Sequence, residues 1–349
     1  MPFPQRCITS IAVIGSLVLS TSSNGAVQAL ATRSAAKTDN NTKKDPSVSP
    51  DILVWDNVLS PGVCSTLHQT SSRLGLGHRV FSRRGTESAH NSNVVEQVLD
   101  SILKELGDDS EHVEYWTRQE WRSIHAHADV DEYLAKRKSA EEADFRYPHM
   151  GHVLYLQVGE KVRGPTCVFP HRRSGGELLR PISKESEDTS IELVTVPAVE
   201  GRLLRFQGDY LHAVPRPTDL WLLSFVQGSP DFSPEEEWGR SVVLFNTWGS
   251  NPPLEVPIDE KLDDGVDSGE ASCNNLDTWS SVFAKQRKVE TTSSQEEEDK
   301  VNAKIWLLGD LRRRDHQMQT VKLSAPKSIR TALFEESHVS CLTLGIDSQ

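Results

Sequence analysis

The chain has 349 residues, 36% of them hydrophobic, so it can bury a substantial core in one large domain or two modest ones. Its formal net charge of -12 excludes a general nucleic-acid binder, because such a protein needs a basic surface to neutralise phosphates. Five cysteines without a CxxC pair give no signature of a structural zinc site and leave one or two disulfides open.

The first 29 residues have the features of a targeting segment. Arg6 precedes an apolar run over residues 8–19, and the small residues of 26–29 suit a signal peptidase. The run is shorter than the roughly 20 residues that a membrane-spanning helix needs. We therefore expect a cleaved signal peptide, no stable membrane span, and a place in the secretory pathway (the ER or Golgi lumen, or outside the cell). The alternatives are a signal anchor and an organelle presequence. Residues 30–49 are polar and predict a linker.

Residues 50–257 carry the patterns of a folded domain, which begins with a short strand and two helices. Ser60 and Pro61 predict an N-cap followed by a proline at the first helical position, and this helix runs to about Leu74. Apolar residues at helical spacing in "NVVEQVLDSILKELG" (93–107) predict the second helix.

From residue 112 the apolar period changes from that of a helix to that of a strand. Seven strands are predicted, at 112–130, 151–158, 166–169, 191–196, 202–206, 220–226 and 241–248. With no helix between them, they predict a mainly β fold with flanking helices, as an antiparallel sandwich or barrel. Residues 258–300 hold 12 acidic and 5 basic residues, which favours an acidic linker or surface insertion. Residues 301–349 are apolar enough to form a C-terminal extension whose strands return to the core.

The stretch "RSIHAHADVDEYL" (122–134) places four metal-capable side chains at alternate positions: His125, His127, Asp129 and Asp131. Alternate residues of a strand share one face, so a histidine and a carboxylate two positions apart can bind one metal together. His212, 83 positions beyond Asp129, follows a Gly-Asp turn and offers a second histidine. His127, Asp129 and His212 form a 2-His-1-carboxylate set, which suits non-haem Fe(II) because it leaves coordination positions open. The alternatives are a set that uses His125 with His127, a set that uses Asp129 with Asp131, and a plain solvent face of the strand.

Four motifs occur in order between about residue 52 and residue 248: "VWDNVLSPGVCSTL", "HADVDEYL", "GPTCVFP" and "VTVPAVEGRLLRFQGDYLHAV". In this order they resemble the 2-oxoglutarate- and Fe(II)-dependent dioxygenase superfamily, on the prolyl 4-hydroxylase side. The resemblance implies a double-stranded β-helix core of the jelly-roll or cupin kind. It also implies Fe(II) held by the triad, 2-oxoglutarate as co-substrate bound to that metal, and ascorbate as a candidate accessory reductant.

The superfamily also needs a basic residue that pairs with the far carboxylate of 2-oxoglutarate, usually about ten positions past the distal histidine. Leu222 stands there and cannot do this. Arg240, which we favour, and Arg216 are the two replacements, because a guanidinium grips a carboxylate through two hydrogen bonds. Tyr155 matches a position where the family often places a polar contact to 2-oxoglutarate. The alternative for this residue is a core tyrosine whose hydroxyl is satisfied locally.

The resemblance implies an enzyme that hydroxylates a C–H bond while 2-oxoglutarate is decarboxylated to succinate. A peptide or protein substrate, as for a prolyl 4-hydroxylase, is the first expectation, and a small molecule is the other. One rival is a non-catalytic β-helix protein that binds a ligand or partner, which the displaced basic residue favours. The second rival is a cupin-like metalloenzyme that uses the same three ligands without 2-oxoglutarate.

Overall fold

The computed structural model describes most of the chain from residue 51 onward. The described residues are 51–74, 77–83, 93–119, 124–137, 145–159, 165–170, 190–214, 240–257, 271–289, 300–307, 319–326 and 338–345. Within these ranges, no helix is long and apolar enough to cross a membrane. The expected targeting segment and linker (1–49) and the strand expected at 220–226 lie outside the described residues.

The first of two sheets has seven strands, and every pairing in it is antiparallel. In spatial order they are β11 (Ser280–Ser281), β1 (Ile52–Asp56), β8 (Leu203–Gln207), β5 (Met150–Val158), β10 (Arg240–Trp248), β3 (His112–Arg118) and β2 (Arg79–Ser82). Strands that follow one another in the sequence are often not adjacent in this sheet, because the chain crosses repeatedly between the two sheets, as in a jelly roll.

The second sheet has eight strands. In spatial order they are β12 (Lys285–Val289), β15 (Ser340–Gly345), β7 (Ser190–Val196), β6 (Thr166–Phe169), β9 (Leu211–Val214), β4 (Ile124–His127), β13 (Lys300–Leu307) and β14 (Gln319–Pro326). Among the described pairings, only β12 with β15 and β13 with β4 are parallel. The predicted mainly β fold with a double-stranded β-helix core is therefore confirmed.

Both C-terminal segments contribute strands to this architecture. β13, β14 and β15 come from residues 300–345, and β15 pairs with β7 along its whole length. Residues 271–289, inside the stretch interpreted as a linker or insertion, supply β11 and β12 at the sheet edges. Trp279 of this stretch is buried and lies edge-on to the Trp55 ring.

The two helices predicted before residue 112 are present, but a third, short helix lies between β4 and β5, where no helix was expected. Their bounds are α1 (Pro61–Leu74), α2 (Val94–Glu105) and α3 (Glu132–Arg137), with a 3-10 turn at Leu276–Thr278. The Ser60 hydroxyl accepts a hydrogen bond from the Val63 amide, as an N-cap does. Asn93 and Glu96 form a capping box at α2. Gly107, at a φ of 63°, lies just past the end of α2 in the left-handed conformation that glycine tolerates.

Side-chain alternation gives the seven-stranded sheet two apolar faces. The helix-side core holds α1 and α2 against one face through residues that include Leu67, Ile102, Leu154, Val243 and Phe245. The inter-sheet core joins the opposite face to the second sheet through residues that include Val153, Val168, Val194, Phe206 and Val242. The four described cysteines, Cys64, Cys167, Cys273 and Cys341, carry free thiols.

Candidate metal and co-substrate site

The pairing of β4 with β9 brings together two residues that are far apart in sequence. His127 stands directly opposite His212, and their ring centroids are 4.4 Å apart. β4 ends at His127, so Asp129 lies just beyond the strand rather than within it. The alternation expected over 112–130 is thus divided between two strands of different sheets, β3 and β4.

The three predicted ligands converge on one point beside the inter-sheet core. One ligand atom from each of His127, Asp129 and His212 lies within 4.8 Å of the others. The Asp129 carboxylate is 3.6 Å from Nε2 of His127 and 3.8 Å from Nε2 of His212. Ligands at right angles around a first-row metal are about 3 Å apart, so small side-chain rotations bring all three onto one ion. The donor set of two imidazoles and one carboxylate fits Fe(II).

The structure also distinguishes this triad from the alternatives that strand periodicity left open. Asp131 is buried away from the cluster, where its Oδ1 accepts a hydrogen bond of 3.0 Å from the Leu134 amide at the start of α3. Its Oδ2 pairs with the Arg146 guanidinium and accepts from the Leu254 amide. Asp131 therefore ties the segment after Asp129 to its surroundings. The side chain of His125 lies outside the described residues.

The electrostatics of the triad favour the forms of the side chains that bind metals. Burial lowers the pKa of His212 to about 4, and the neighbouring His127 acts in the same direction. Nδ1 of His212 faces the Tyr210 carbonyl at 3.3 Å, so Nδ1 carries the proton and the Nε2 lone pair faces Asp129. Burial alone would raise the pKa of Asp129, but the two histidines and a hydrogen bond from Asn246 outweigh it and lower that pKa. At neutral pH the site holds a carboxylate and a neutral His212.

Two features beside the triad were missed from the sequence. Asn246 of β10 donates a hydrogen bond of 3.1 Å from Nδ2 to Oδ2 of Asp129. His78 stacks on the Trp116 ring at 4.3 Å and contacts Oε1 of Glu114 through Nδ1 at 2.7 Å. The sequence signal for these contacts was that Asn246 and Glu114 are each a polar residue within an apolar strand.

Arg240 and Tyr155 lie together between the two sheets. Arg240 is 2% exposed, and its guanidinium carbon is 5.6 Å from the centre of the Tyr155 ring. The Tyr155 hydroxyl is 2.7 Å from Oγ1 of Thr166 and also donates to the Val196 carbonyl at 3.3 Å. Burial raises the pKa of this phenol, so it stays protonated. The pairing of β10 with β5 shifts by one residue between Ser241 and Val242, because Leu156 of β5 has no partner there.

This pair lies a short way along the sheet from the triad. Val168 pairs with His212 across β6 and β9, and Thr166 precedes Val168 by two residues on the same face. Two residues of a strand span about 7 Å, which is comparable with the length of a five-carbon dicarboxylate. Arg216, the other predicted anchor, and Leu222 lie outside the described residues.

No family model matches the sequence, and no curated protein does either. Among solved structures, the chain is similar to a Pseudomonas putida prolyl-4-hydroxylase, with 12% identity, a TM-score of 0.31, and coverage of 58% of this chain and 89% of that one. It is similar to HygX from Streptomyces hygroscopicus with iron bound, with 13% identity, a TM-score of 0.32, and coverage of 59% and 88%. It is also similar to the viral collagen prolyl hydroxylase of Paramecium Bursaria Chlorella virus-1, with 13% identity, a TM-score of 0.31, and coverage of 58% and 97%.

The resemblance of the chain to known enzymes rests on features of its own sequence and structure. They are the two facing, largely antiparallel sheets, the four ordered motifs and the assembled cluster of His127, Asp129 and His212. In these respects the chain resembles the 2-oxoglutarate- and Fe(II)-dependent dioxygenases on the prolyl 4-hydroxylase side.

Proposed function

We propose that the protein is an Fe(II)- and 2-oxoglutarate-dependent dioxygenase that hydroxylates a C–H bond of a peptide or protein substrate. The observation that carries the proposal is the convergence of His127, Asp129 and His212 within 4.8 Å. Two histidines and one carboxylate on one face of an ion leave the opposite face open, which is where a co-substrate and dioxygen need to bind. A prolyl side chain as the target is the first substrate to test, and it rests on the resemblance.

His127, Asp129 and His212 would hold Fe(II), and the protonation states of Asp129 and His212 suit that role. Because the pKa of His212 is lowered to about 4, no proton has to leave it when a metal binds near neutral pH. The lowered pKa of Asp129 likewise keeps the carboxylate ionised. When bound, the iron and 2-oxoglutarate supply the oxidation chemistry, in which 2-oxoglutarate is decarboxylated to succinate.

Arg240 would anchor the far carboxylate of 2-oxoglutarate. Its guanidinium is buried in the inter-sheet space, where a carboxylate ligand would meet little competition from water. Tyr155 and Thr166 share a hydrogen bond in the same space, and the Tyr155 proton would have to leave the Val196 carbonyl to reach that carboxylate. Arg216 remains the alternative anchor. A buried cation in the inter-sheet space favours a 2-oxoglutarate enzyme over a cupin-like enzyme that needs no acidic co-substrate.

Succinate formation tests the proposed function. The full-length protein is incubated with Fe(II), ascorbate and 2-oxoglutarate, with a proline-containing peptide library as substrate, and succinate is measured. We expect turnover in the wild type and none in His127→Ala. The proposal is wrong if the wild type forms no succinate and also shows no metal-dependent binding of 2-oxoglutarate.

The anchor is tested by the KM for 2-oxoglutarate. Loss of one partner of a buried charge pair costs about 2 kcal/mol or more, so Arg240→Ala should raise this KM roughly 30-fold or more. Arg240→Lys keeps the charge but loses the paired hydrogen bonds, so its KM for 2-oxoglutarate should lie between those of the wild type and Arg240→Ala. Arg73→Ala removes an exposed arginine at the end of α1 and should leave the KM unchanged. Normal kinetics in Arg240→Ala together with a loss in Arg216→Ala would assign the anchor to Arg216.

We also propose that the protein enters the secretory pathway, on the evidence of residues 1–29 alone. N-terminal sequencing of the protein made in a secreting eukaryotic host should find a start near residue 30. An intact N-terminus in the mature protein contradicts cleavage and favours a signal anchor.

A further inference from the structure

A hydrogen bond reaches the triad from the first sheet. Nδ2 of Asn246, on β10, donates to Oδ2 of Asp129 across the inter-sheet space at 3.1 Å. Asn246 is 2% exposed, and a buried amide without a partner would be costly. The two sheets are therefore joined by a polar contact at the metal site itself.

Asn246 is aimed at the triad by the alternation of β10. Its neighbour Phe245 belongs to the helix-side core, and Thr247 is fully buried on the same side as Phe245. Asn246 is left facing the second sheet, where β4 ends. The register of β10 pairs Asn246 with Glu114 of β3 and with Gly151 of β5, so the position of Asn246 is set by two strands at once.

The neighbouring carboxylate of Glu114 does not compete for the Asn246 amide. Its Oε1 contacts Nδ1 of His78 at 2.7 Å, and its Oε2 accepts a hydrogen bond of 3.1 Å from Nε1 of Trp248. Both oxygens of Glu114 are thus already engaged. The Asn246 amide is directed to Asp129 instead.

Asp129 needs an external partner, because it lies on a segment without strand pairing. β4 ends at His127, and α3 begins only at Glu132. A free aspartate side chain in such a segment can turn either oxygen toward a metal. Oδ1 lies on the side of His127 and Oδ2 on the side of His212. Because Oδ2 already accepts the hydrogen bond from Asn246, Oδ1 is the oxygen left for coordination.

We propose that Asn246 is a positioning residue of the metal site, whose amide holds Oδ2 of Asp129 and thereby presents Oδ1 to the metal. This inference rests on the proposed function, because it assumes that the triad binds a divalent ion. It assigns to β10 a role in metal affinity in addition to its role in carrying Arg240.

Metal affinity measured without turnover tests the inference. Metal-free full-length protein is titrated with Mn(II), and free Mn(II) is followed by electron paramagnetic resonance. Loss of a hydrogen-bonding partner of a metal ligand lowers metal affinity by about 10- to 100-fold, and we expect that loss in Asn246→Ala. Asn246→Leu, which keeps the side-chain volume but has no donor, should show the same loss.

The matched control is Thr247→Val on the same strand. Thr247 is as buried as Asn246 but faces the helix side, and within the described residues its hydroxyl has no hydrogen-bond partner. This variant should bind Mn(II) like the wild type. Urea unfolding of the metal-free proteins separates a structural loss from a change in affinity, since a merely structural Asn246 would shift unfolding and leave the Mn(II) Kd unchanged.

Three outcomes decide the matter. Weaker Mn(II) binding in both Asn246 variants, with a normal Thr247→Val, supports the inference. Wild-type affinity in the Asn246 variants overturns it and leaves the proposed function standing. A wild type that binds no Mn(II) overturns the inference together with the proposed function.

Discussion

The buried His152 should make the folded protein acid-sensitive. Its ring is 1% exposed and stacks on Phe245 at 4.2 Å, and its Nδ1–H donates to the Phe245 carbonyl. Within the described part of the chain, Nε2 has no hydrogen-bond partner. Burial, reinforced by the nearby Arg205, lowers the pKa of His152 to about 3 from an ordinary value of 6.5. A protonated imidazole is therefore excluded from the fold until the pH is very low.

The sign and size of the effect follow from proton linkage. Between pH 6.5 and pH 3 the unfolded chain binds a proton at His152 and the folded chain does not, so stability falls as the pH drops through this range. At about pH 5, protonation of His152 shifts the folding equilibrium toward the unfolded state by a factor of roughly 30, which lowers the free energy of unfolding by about 2 kcal/mol.

Urea unfolding at about pH 7.5 and pH 5.0 measures this loss. His152→Asn keeps an N–H near the position of Nδ1 but does not titrate, so it should lose about 2 kcal/mol less than the wild type between the two pH values. The comparison within each protein removes the constant cost of the substitution, and other groups such as His212 contribute equally to both. Equal losses in the two proteins would refute the assignment of acid sensitivity to His152.

Two further predictions concern the surroundings of the triad. In Gly208→Ala the new Cβ would lie 2.1 Å from the Pro148 carbonyl oxygen. The backbone must therefore shift at a cost of about 1–3 kcal/mol or more, visible as a lower thermal midpoint, whereas Gly77→Ala meets nothing within 4 Å and should unfold normally. Burial lowers the pKa of His78, but Glu114 more than compensates and raises it. The resulting stabilisation is complete below pH 6.5 and is lost as the pH rises through the folded pKa. Between pH 6 and pH 9 the free energy of unfolding should therefore fall more in the wild type than in His78→Gln. Identical pH profiles of the two proteins would contradict this prediction.

Much of the fold is encoded locally and could be predicted. The N-cap at Ser60 is a short-range signal, and it begins a helix where the sequence indicates it. The second helix was predicted from its apolar spacing, and the structure adds the cap at Asn93. The strand at 166–169 was predicted at its observed bounds, because apolar and β-branched residues there are flanked by turn-forming ones. β9, which has the same length, was not predicted as a strand.

The candidate triad was predicted only in part by local pattern. The spacing of His127 and Asp129 identified a pair, but periodicity treated His125 and Asp131 as equals. The motif order of the resemblance selected the pair and His212, and the structure separates Asp131 from them by placing it in a buried contact with Arg146. Arg240 as the co-substrate anchor stays a prediction, supported by its burial beside Tyr155.

The sequence by itself determined the chemistry that the chain can offer: two histidines, one carboxylate and an arginine in a mainly β protein with a net charge of -12. Only the tertiary structure decided which oxygen of Asp129 is held by Asn246, and how Glu114 is shared between His78 and Trp248. Two of these contacts join residues more than a hundred positions apart, and the third joins residues 36 positions apart. No local periodicity encodes them, because they depend on strand register and on which face each strand turns to the other sheet.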